Sequence, residues 1–147
     1  MTAKEARMTQ PLHGLSILIV EDEAIIAMML VNEIERAGGT AVGPATSVAE
    51  ALREIASTVI DVALVDSKLA DGSATDLVAA FARRGIPYIV VSGYEEANLP
   101  ALLKGGPFVA KPISLPQLFE AIDAVRRAAL RSSATASARG PGVVDGD

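Results

Sequence analysis

The chain has 147 residues, of which 50% are hydrophobic, and it carries a formal net charge of −5 at pH 7. That length suits one domain with its own core, and the negative charge argues against nucleic acid or an anionic membrane as a main partner. The absence of cysteine and the single histidine, His13, exclude disulfides, thiolate zinc sites and histidine metal clusters. No apolar run has membrane-spanning length and no signal-peptide stretch opens the chain, so we expect a cytoplasmic protein.

The predicted domain organisation is a flexible leader, one folded domain and a disordered tail. Residues 1–14 are polar, mixed in charge and interrupted by proline and glycine, which is typical of a mobile leader. Residues 132–147 are small, polar and rich in glycine and proline near the end, which favours disorder. The folded domain therefore spans residues 15–131.

Within that domain, apolar runs alternate with helical patterns. The short apolar runs predict five buried strands, at residues 15–20, 40–42, 62–65, 88–91 and 108–110. The segments between and after them predict five helices, at residues 24–37, 47–56, 73–84, 95–106 and 114–131. Capping-box sequences open the second helix at Ser47 and the third at Ser73. The fourth helix is the poorest, because Pro100 interrupts it and two glycines end it.

The spacing of apolar residues also predicts which side of the first helix is buried. That inner side is expected to contain Ile25, Met28, Met29, Asn32 and Ile34.

Strands that alternate with helices predict an α/β fold, a doubly wound five-stranded parallel sheet with right-handed crossovers. The strand order 2-1-3-4-5 is assigned by analogy with flavodoxin-like sheets of this size, because the residues themselves do not determine it.

Polar residues follow the strands at the ends that such a topology gathers at one edge of the sheet. They are Glu21 and Asp22 after the first strand, Asp66 after the third, Ser92 after the fourth and Lys111 after the fifth. Carboxylates this close would raise one another's pKa unless a cation lay among them. Mg²⁺ suits a site of one or two carboxylates, waters and a phosphate oxygen.

This set of residues favours phosphoryl chemistry at Asp66. A carboxylate can attack phosphorus to form an acyl phosphate, and the transferred group requires a metal, an ammonium and a hydroxyl donor at fixed positions. Each residue alone has an ordinary interpretation, such as a helix cap, a turn serine or a solvated loop lysine. Only their joint arrangement favours the chemical one.

The residues that carry this arrangement resemble a known family. The sequence Val20-Glu21-Asp22-Glu23, the strand ending at Asp66, Ser92, and the run Phe108-Val109-Ala110-Lys111-Pro112 are similar to the receiver domain of bacterial two-component response regulators, across residues 15–131. The resemblance implies the CheY-like form of the flavodoxin-like fold.

The resemblance also implies roles for individual residues. Asp66 would be the phosphoacceptor, and Mg²⁺ would be held by Glu21, Asp22 and Asp66, with Asp22 a direct ligand and the backbone oxygen of Lys68 completing the protein ligands. Ser92 and Lys111 would bind the phosphoryl oxygens, and Ser92 and Phe108 would form the conformational switch. The Lys111–Pro112 peptide bond would be cis.

Several positions depart from the usual family pattern. Glu21 stands where aspartate is usual, Ser92 where threonine is commoner, and Leu69-Ala70 where a Met-Pro pair is usual. The sequence Val90-Val91-Ser92-Gly93-Tyr94 is similar to the Phe-Ala-Thr-Gly-Tyr signature of an atypical subgroup of stand-alone receivers, which tends to have a poorly formed fourth helix.

The leading hypothesis is a single-domain response regulator, a signalling domain and not a turnover enzyme. It would take a phosphoryl group from a sensor histidine kinase or phosphotransfer protein and change the face made by the fourth helix, fifth strand and fifth helix. That face would bind a downstream protein and is a candidate homodimer surface.

The alternative is a receiver-like adaptor that binds partners without phosphorylation. Two departures from the family pattern motivate it, namely the altered loop after Asp66 and the glutamate at Glu21. A third hypothesis, an aspartyl-nucleophile hydrolase, is disfavoured because Lys68 stands where that class usually has a second aspartate.

Overall fold

The computed structural model describes residue 2 and residues 10–69, 72–93 and 107–139, and in this part of the chain it has seven strands and four helices. The strands are β1 (Ser16–Val20), β2 (Thr40–Ala45), β3 (Val62–Asp66), β4 (Lys68–Leu69), β5 (Gly72–Ser73), β6 (Tyr88–Ser92) and β7 (Phe108–Ala110). The helices are α1 (Ala24–Arg36), α2 (Val48–Ser57), α3 (Thr75–Arg84) and α4 (Leu115–Arg139). The predicted fourth helix, 95–106, lies outside the described residues.

The main sheet has five parallel strands in the order β2-β1-β3-β6-β7. Since β6 and β7 are the fourth and fifth of the predicted strands, the α/β fold and the predicted order 2-1-3-4-5 are confirmed. The central strand β3 pairs with β1 and β6, and all five of its residues are buried. The short strands β4 and β5 form a separate antiparallel hairpin directly after β3.

Two hydrophobic clusters lie on opposite faces of the sheet, as the alternation of side chains along each strand requires. One cluster joins Val65 and Val90 to residues of α2 and α3, among them Ile55 and Phe81. The other cluster joins the second face of the same strands to residues of α1 and α4, namely Leu30, Ile34, Leu118 and Ile122. Helices on both faces bury the sheet, so the strands' carboxyl ends remain as the open edge.

The predicted inner side of α1 was wrong in part. The buried residues of this helix are Ala27, Leu30 and Ile34, whereas Ile25 is 86% exposed and Met28 is 52% exposed. The first turns of α1 are apolar on every side, so the spacing of apolar residues does not select a face there.

The start of α3 also differs from the prediction. The helix begins at Thr75, its N-cap is Ala74, and no side-chain hydrogen bond caps it. The backbone of Ser73 instead pairs with Lys68 in the hairpin, which delays the helix beyond the predicted capping box.

The predicted leader is folded where it meets the domain. Residues 10–14 form a turn in which Leu12 is buried, and the Leu12 N–H donates to the Ala37 carbonyl over 2.9 Å. This contact requires glycine at Gly38, which has φ +92°, because a Cβ there would lie 2.8 Å from the Cβ of Gln10. The rest of the leader, apart from residue 2, lies outside the described residues.

The last helix is longer than predicted. It continues past residue 131 to Arg139, so the predicted tail is helical over 132–139, and residues 140–147 lie outside the described part. The physical reason is that this stretch contains three alanines and no proline or glycine before Gly140. Within the described residues, no helix combines the length and apolarity needed to cross a membrane.

Candidate functional site

The sequence-predicted site residues converge at the carboxyl edge of the sheet. Asp66 ends β3, and the pair Glu21 and Asp22 follows β1. Ser92 ends β6, and Lys111 follows β7, with its N–H donating to the Ser92 carbonyl over 2.9 Å. The parallel topology therefore brings together residues that lie far apart in the sequence.

Three carboxylates form the acidic part of the site. Glu21 is 2% exposed and Asp66 is 7% exposed, while Asp22 is exposed to solvent. One oxygen of each lies within 4.8 Å of the others. Hard divalent cations bind oxygen donors at this kind of spacing, and Mg²⁺ is usually held by one or two carboxylates together with waters. The donor set fits Mg²⁺, as the sequence predicted.

Lys111 supplies the positive charge at the centre of this cluster. Its Nζ lies 2.8 Å from Glu23 Oε1, 3.1 Å from Glu21 Oε1 and 3.4 Å from Asp66 Oδ2. The side chains of Lys111, Glu21 and Asp66 are largely buried, so the pairs of the lysine with these two acids are less screened than surface pairs, whereas the Glu23 side chain is 59% exposed. Lys111 thus offsets the repulsion among the carboxylates and stays within reach of Asp66.

Two groups of the site, Glu21 and Lys111, have pKa values that differ from their ordinary ones. Burial, followed by the hydrogen bond to Asp66, raises the pKa of Glu21 from 4.5 to about 7, although the Glu23 N–H and Lys111 act in the opposite direction. For Lys111, burial lowers the pKa, but hydrogen bonds to Glu23 and Glu21 and the charge of Asp66 outweigh it. The net result is a raised pKa, so the lysine stays charged.

The backbone after β3 shapes the carboxylate of Asp66. The Lys68 N–H donates to Asp66 Oδ1 over 3.2 Å, and Lys68 begins the β4–β5 hairpin. Lys68 also carries the backbone oxygen that is the predicted metal ligand. The hydrogen bond of its N–H therefore holds this residue beside the Asp66 carboxylate. Residues 70–71 of this loop lie outside the described part.

The predicted switch residues lie on neighbouring strands. Ser92 is fully buried, and Phe108 is half-buried and packs against the cluster that contains α2 and α3. Phe108 pairs with Val90 in the sheet, two residues before Ser92. The Lys111–Pro112 peptide bond is cis, which confirms the prediction.

Two site residues were missed by the sequence analysis. Glu23 makes the shortest ion pair of Lys111, and the only signal for it was its place in the acidic run after β1. Ser67 is 4% exposed, and its hydroxyl donates to Ser92 Oγ over 2.7 Å. Its signal in the sequence is a polar residue directly after Asp66, at a position where the alternation of side chains along β3 places it on the same face as Val65.

The fold and the site together define a class of protein: an open, doubly wound α/β domain with an acidic Mg²⁺-type pocket and a lysine at the carboxyl edge of the sheet. The family model of the response regulator receiver domain matches residues 17–123, so the chain belongs to the response regulator receiver family. Receiver domains bind Mg²⁺ at an acidic pocket and interact with histidine kinases or phosphotransfer proteins.

Solved structures agree with this assignment. SdrG from Sphingomonas melonis Fr1 is 34% identical over 78% of this chain and 96% of its own, with a TM-score of 0.67. A CheY-like receiver domain protein from Methanospirillum hungatei JF-1 is 26% identical over 82% of this chain and 98% of its own, with a TM-score of 0.68.

A further structure shows SdrG in its BeF3-activated conformation, attributed to Pseudomonas melonis Fr1. It has 34% identity and a TM-score of 0.67, and the match covers 76% of this chain and 95% of that one. A search of curated proteins gave no significant match.

Proposed function

We propose that this chain is a response regulator receiver that receives a phosphoryl group on Asp66 from a phosphohistidine. The donor would be a sensor histidine kinase or a phosphotransfer protein. The observation that carries the proposal is the position of Lys111 Nζ, 3.4 Å from Asp66 Oδ2 and in contact with the acidic cluster. An ammonium at this distance is placed to bind an oxygen of a phosphoryl group on that carboxylate.

In the proposed transfer, an oxygen of the Asp66 carboxylate attacks phosphorus and forms an acyl phosphate. The phosphorus–nitrogen bond to the donor histidine breaks, and the electron pair returns to the imidazole. Lys111 would bind one phosphoryl oxygen and the Ser92 hydroxyl would donate to another. Asp66 is nearly buried, so these donors would act with little competition from water.

Mg²⁺ would be held by Glu21, Asp22 and Asp66, together with the backbone oxygen of Lys68, and would neutralise charge on the transferred oxygens. The donor set supports this role, because three carboxylate oxygens lie within 4.8 Å of one another. The proposal also takes support from SdrG, whose activated conformation is one with BeF3.

The signal would leave the site through a conformational change of Ser92 and Phe108 toward the face that includes β7 and α4. A downstream protein would bind that face in the phosphorylated state. The reaction would stop at one phosphoryl group per chain, followed by hydrolysis of the acyl phosphate, which is the behaviour of a signalling domain and not of a turnover enzyme.

The first experiment measures acyl-phosphate formation with a small phosphodonor and Mg²⁺, by intact-protein mass. We expect one adduct of a single phosphoryl group on the wild type and on Asp123→Asn, which removes an exposed carboxylate of α4. Asp66→Asn should give no adduct and keep the wild-type far-ultraviolet circular dichroism, because the amide has the same shape as the carboxylate.

A wild type that forms no more adduct than Asp66→Asn would contradict the proposal. Partner binding that is equal for wild type and Asp66→Asn would instead support the adaptor. Steady multiple turnover of a phosphate ester would support the hydrolase.

A further inference from the structure

The second hydroxyl of the site, on Ser67, is buried beside the predicted switch residue. Ser67 is 4% exposed and Ser92 is fully buried, and the Ser67 hydroxyl donates to Ser92 Oγ over 2.7 Å. We propose that Ser67 is a positioning residue that holds the Ser92 hydroxyl in the unphosphorylated protein, and that this hydrogen bond breaks when Ser92 turns to the phosphoryl group. This inference rests on the proposed function of Asp66.

The register of the sheet supports this role. Val65 and Val90 belong to the cluster on the face of α2 and α3, whereas Leu64 and Val91 belong to the cluster on the opposite face. Because side chains alternate along a strand, Ser67 shares a face with Val65 and Ser92 shares that face with Val90. The backbone ladder continues to this level, since the Ser67 N–H donates to the Val91 carbonyl over 3.2 Å.

By the same alternation, Asp66 lies on the other face, with Leu64. Ser67, Ser92, Asp66 and Lys111 nevertheless line one cleft at the carboxyl edge. A rotation about the Cα–Cβ bond of Ser92 therefore redirects its hydroxyl within a cleft that it already lines. Ser67 opposes this rotation by bonding to the oxygen that has to move.

The relative strengths of the hydrogen bonds make the exchange depend on phosphorylation. A hydrogen bond between two buried, neutral hydroxyls favours the conformation in which it is formed by about 2- to 12-fold over the one in which it is broken. A hydroxyl bond to an ionised phosphoryl oxygen is roughly twice as strong as a neutral one. Ser92 is thus held by Ser67 before the transfer and released to the charged oxygen after it.

The experiment measures the dissociation constant of beryllofluoride, an analogue of the phosphoryl group, in the presence of Mg²⁺ by fluorine NMR. We expect Ser67→Ala to bind beryllofluoride about 3- to 10-fold more tightly than wild type, because the competing bond is lost. Ser67→Cys, which is close in size but a weak donor, should change affinity in the same direction. Ser57→Ala removes a serine hydroxyl bound to the Arg53 carbonyl at the end of α2 and should leave the affinity unchanged.

A second background isolates the pair from general effects on the fold. Ser92→Ala should bind beryllofluoride more weakly, and adding Ser67→Ala to it should produce no further change. A Ser67→Ala protein whose affinity is unchanged or weaker would overturn the proposal, and so would an equal gain in the Ser92→Ala background. If the wild type itself does not bind beryllofluoride, the proposed function fails and this inference fails with it.

Discussion

At the scale of single residues, Lys111 has two opposing electrostatic roles. It is the cation that faces Glu21, Glu23 and Asp66, at distances between 2.8 and 3.4 Å. A positive charge in that position stabilises the carboxylates when they are alone, but it repels any divalent cation that they bind. It should also attract the oxygens of a phosphoryl group on Asp66. Removal of the charge therefore separates binding of the metal from binding of the phosphoryl group.

We expect Lys111→Gln to bind Mg²⁺ about 3- to 10-fold more tightly than wild type, because a nearby positive charge is lost. The same variant should bind beryllofluoride at least about 10-fold more weakly in saturating Mg²⁺, since a charged donor to the phosphoryl oxygens is lost. Isothermal titration calorimetry measures the first change and fluorine NMR the second.

Arg127→Gln is the matched control for this prediction, because Arg127 pairs with Asp123 on the exposed side of α4. Its two affinities should equal those of wild type. Changes of the same sign for both ligands in Lys111→Gln would show that the lysine does not separate the two functions.

Most of the site residues follow from the sequence because an apolar strand that ends at a charged residue is a local signal. Glu21, Asp66 and Lys111 each stand directly after such a run, and parallel pairing then brings them together. The contacts of Glu23 and Ser67 do not follow in this way. They depend on side-chain rotamers and on which neighbouring group lies within hydrogen-bond distance, and neither is encoded in the pattern of apolar residues.

At the scale of elements, α2 shows how a local signal fixes a helix start. The predicted capping box is present in altered form. Ser47 Oγ accepts from the Glu50 N–H over 3.1 Å, while Glu50 Oε1 accepts from the Thr46 N–H over 2.7 Å and from Thr46 Oγ1 over 2.9 Å. The glutamate thus reaches one residue further back than the usual capping box, and it binds the residue before the cap.

We expect Ser47→Ala to lower the free energy of unfolding by about 1 kcal/mol, the usual cost of losing a serine N-cap. Urea unfolding followed by circular dichroism measures this change. Ser57→Ala, which loses exposed contacts to the Arg53 carbonyl and the Thr58 hydroxyl at the other end of α2, should cost less. A Ser47→Ala protein as stable as wild type would mean that Glu50 alone holds the start of the helix.

The helices also show where sequence patterns are insufficient. The first turns of α1 are apolar all round, so its buried face depends on how the helix docks on the sheet and not on its own spacing. Similarly, the polar composition after residue 131 predicts a tail, whereas the alanines of the same stretch allow α4 to continue to Arg139. In both cases a tertiary or propensity effect opposed the simplest pattern.

At the scale of the whole molecule, the topology was predictable because alternation of strands and helices leaves few solutions. The strand order, however, came by analogy with other sheets of this size. The same topology makes ionisation of the site acids less favourable, since it gathers buried carboxylates at one edge of the sheet. Glu21, whose pKa is raised to about 7, shows this effect, because its folded form retains a proton that the unfolded chain releases near pH 4.5.

This raised pKa links stability to pH and to Mg²⁺. Between about pH 4.5 and 7 the folded protein binds more protons at Glu21 than the unfolded chain does. The contribution of Glu21 to stability is therefore present below this window and is lost as the pH rises through about 7. Above about pH 7, the metal-free protein holds an ionised, buried Glu21 carboxylate beside Asp66. Bound Mg²⁺ should reduce the repulsion between these two carboxylates. Below about pH 7, Mg²⁺ has to displace the proton of Glu21 before that carboxylate can bind.

We therefore expect about 10 mM Mg²⁺ to raise the melting temperature by several degrees at pH 8 and by much less at pH 6. The apparent affinity for Mg²⁺ should fall by roughly 10-fold between these two pH values, because one proton has to be released. Differential scanning fluorimetry with and without EDTA measures the first effect, and calorimetry measures the second. In Glu21→Gln, which cannot ionise, the difference between the two pH values should largely disappear. An equal stabilisation by Mg²⁺ at pH 6 and pH 8 in wild type would show that Glu21 does not couple metal binding to protonation.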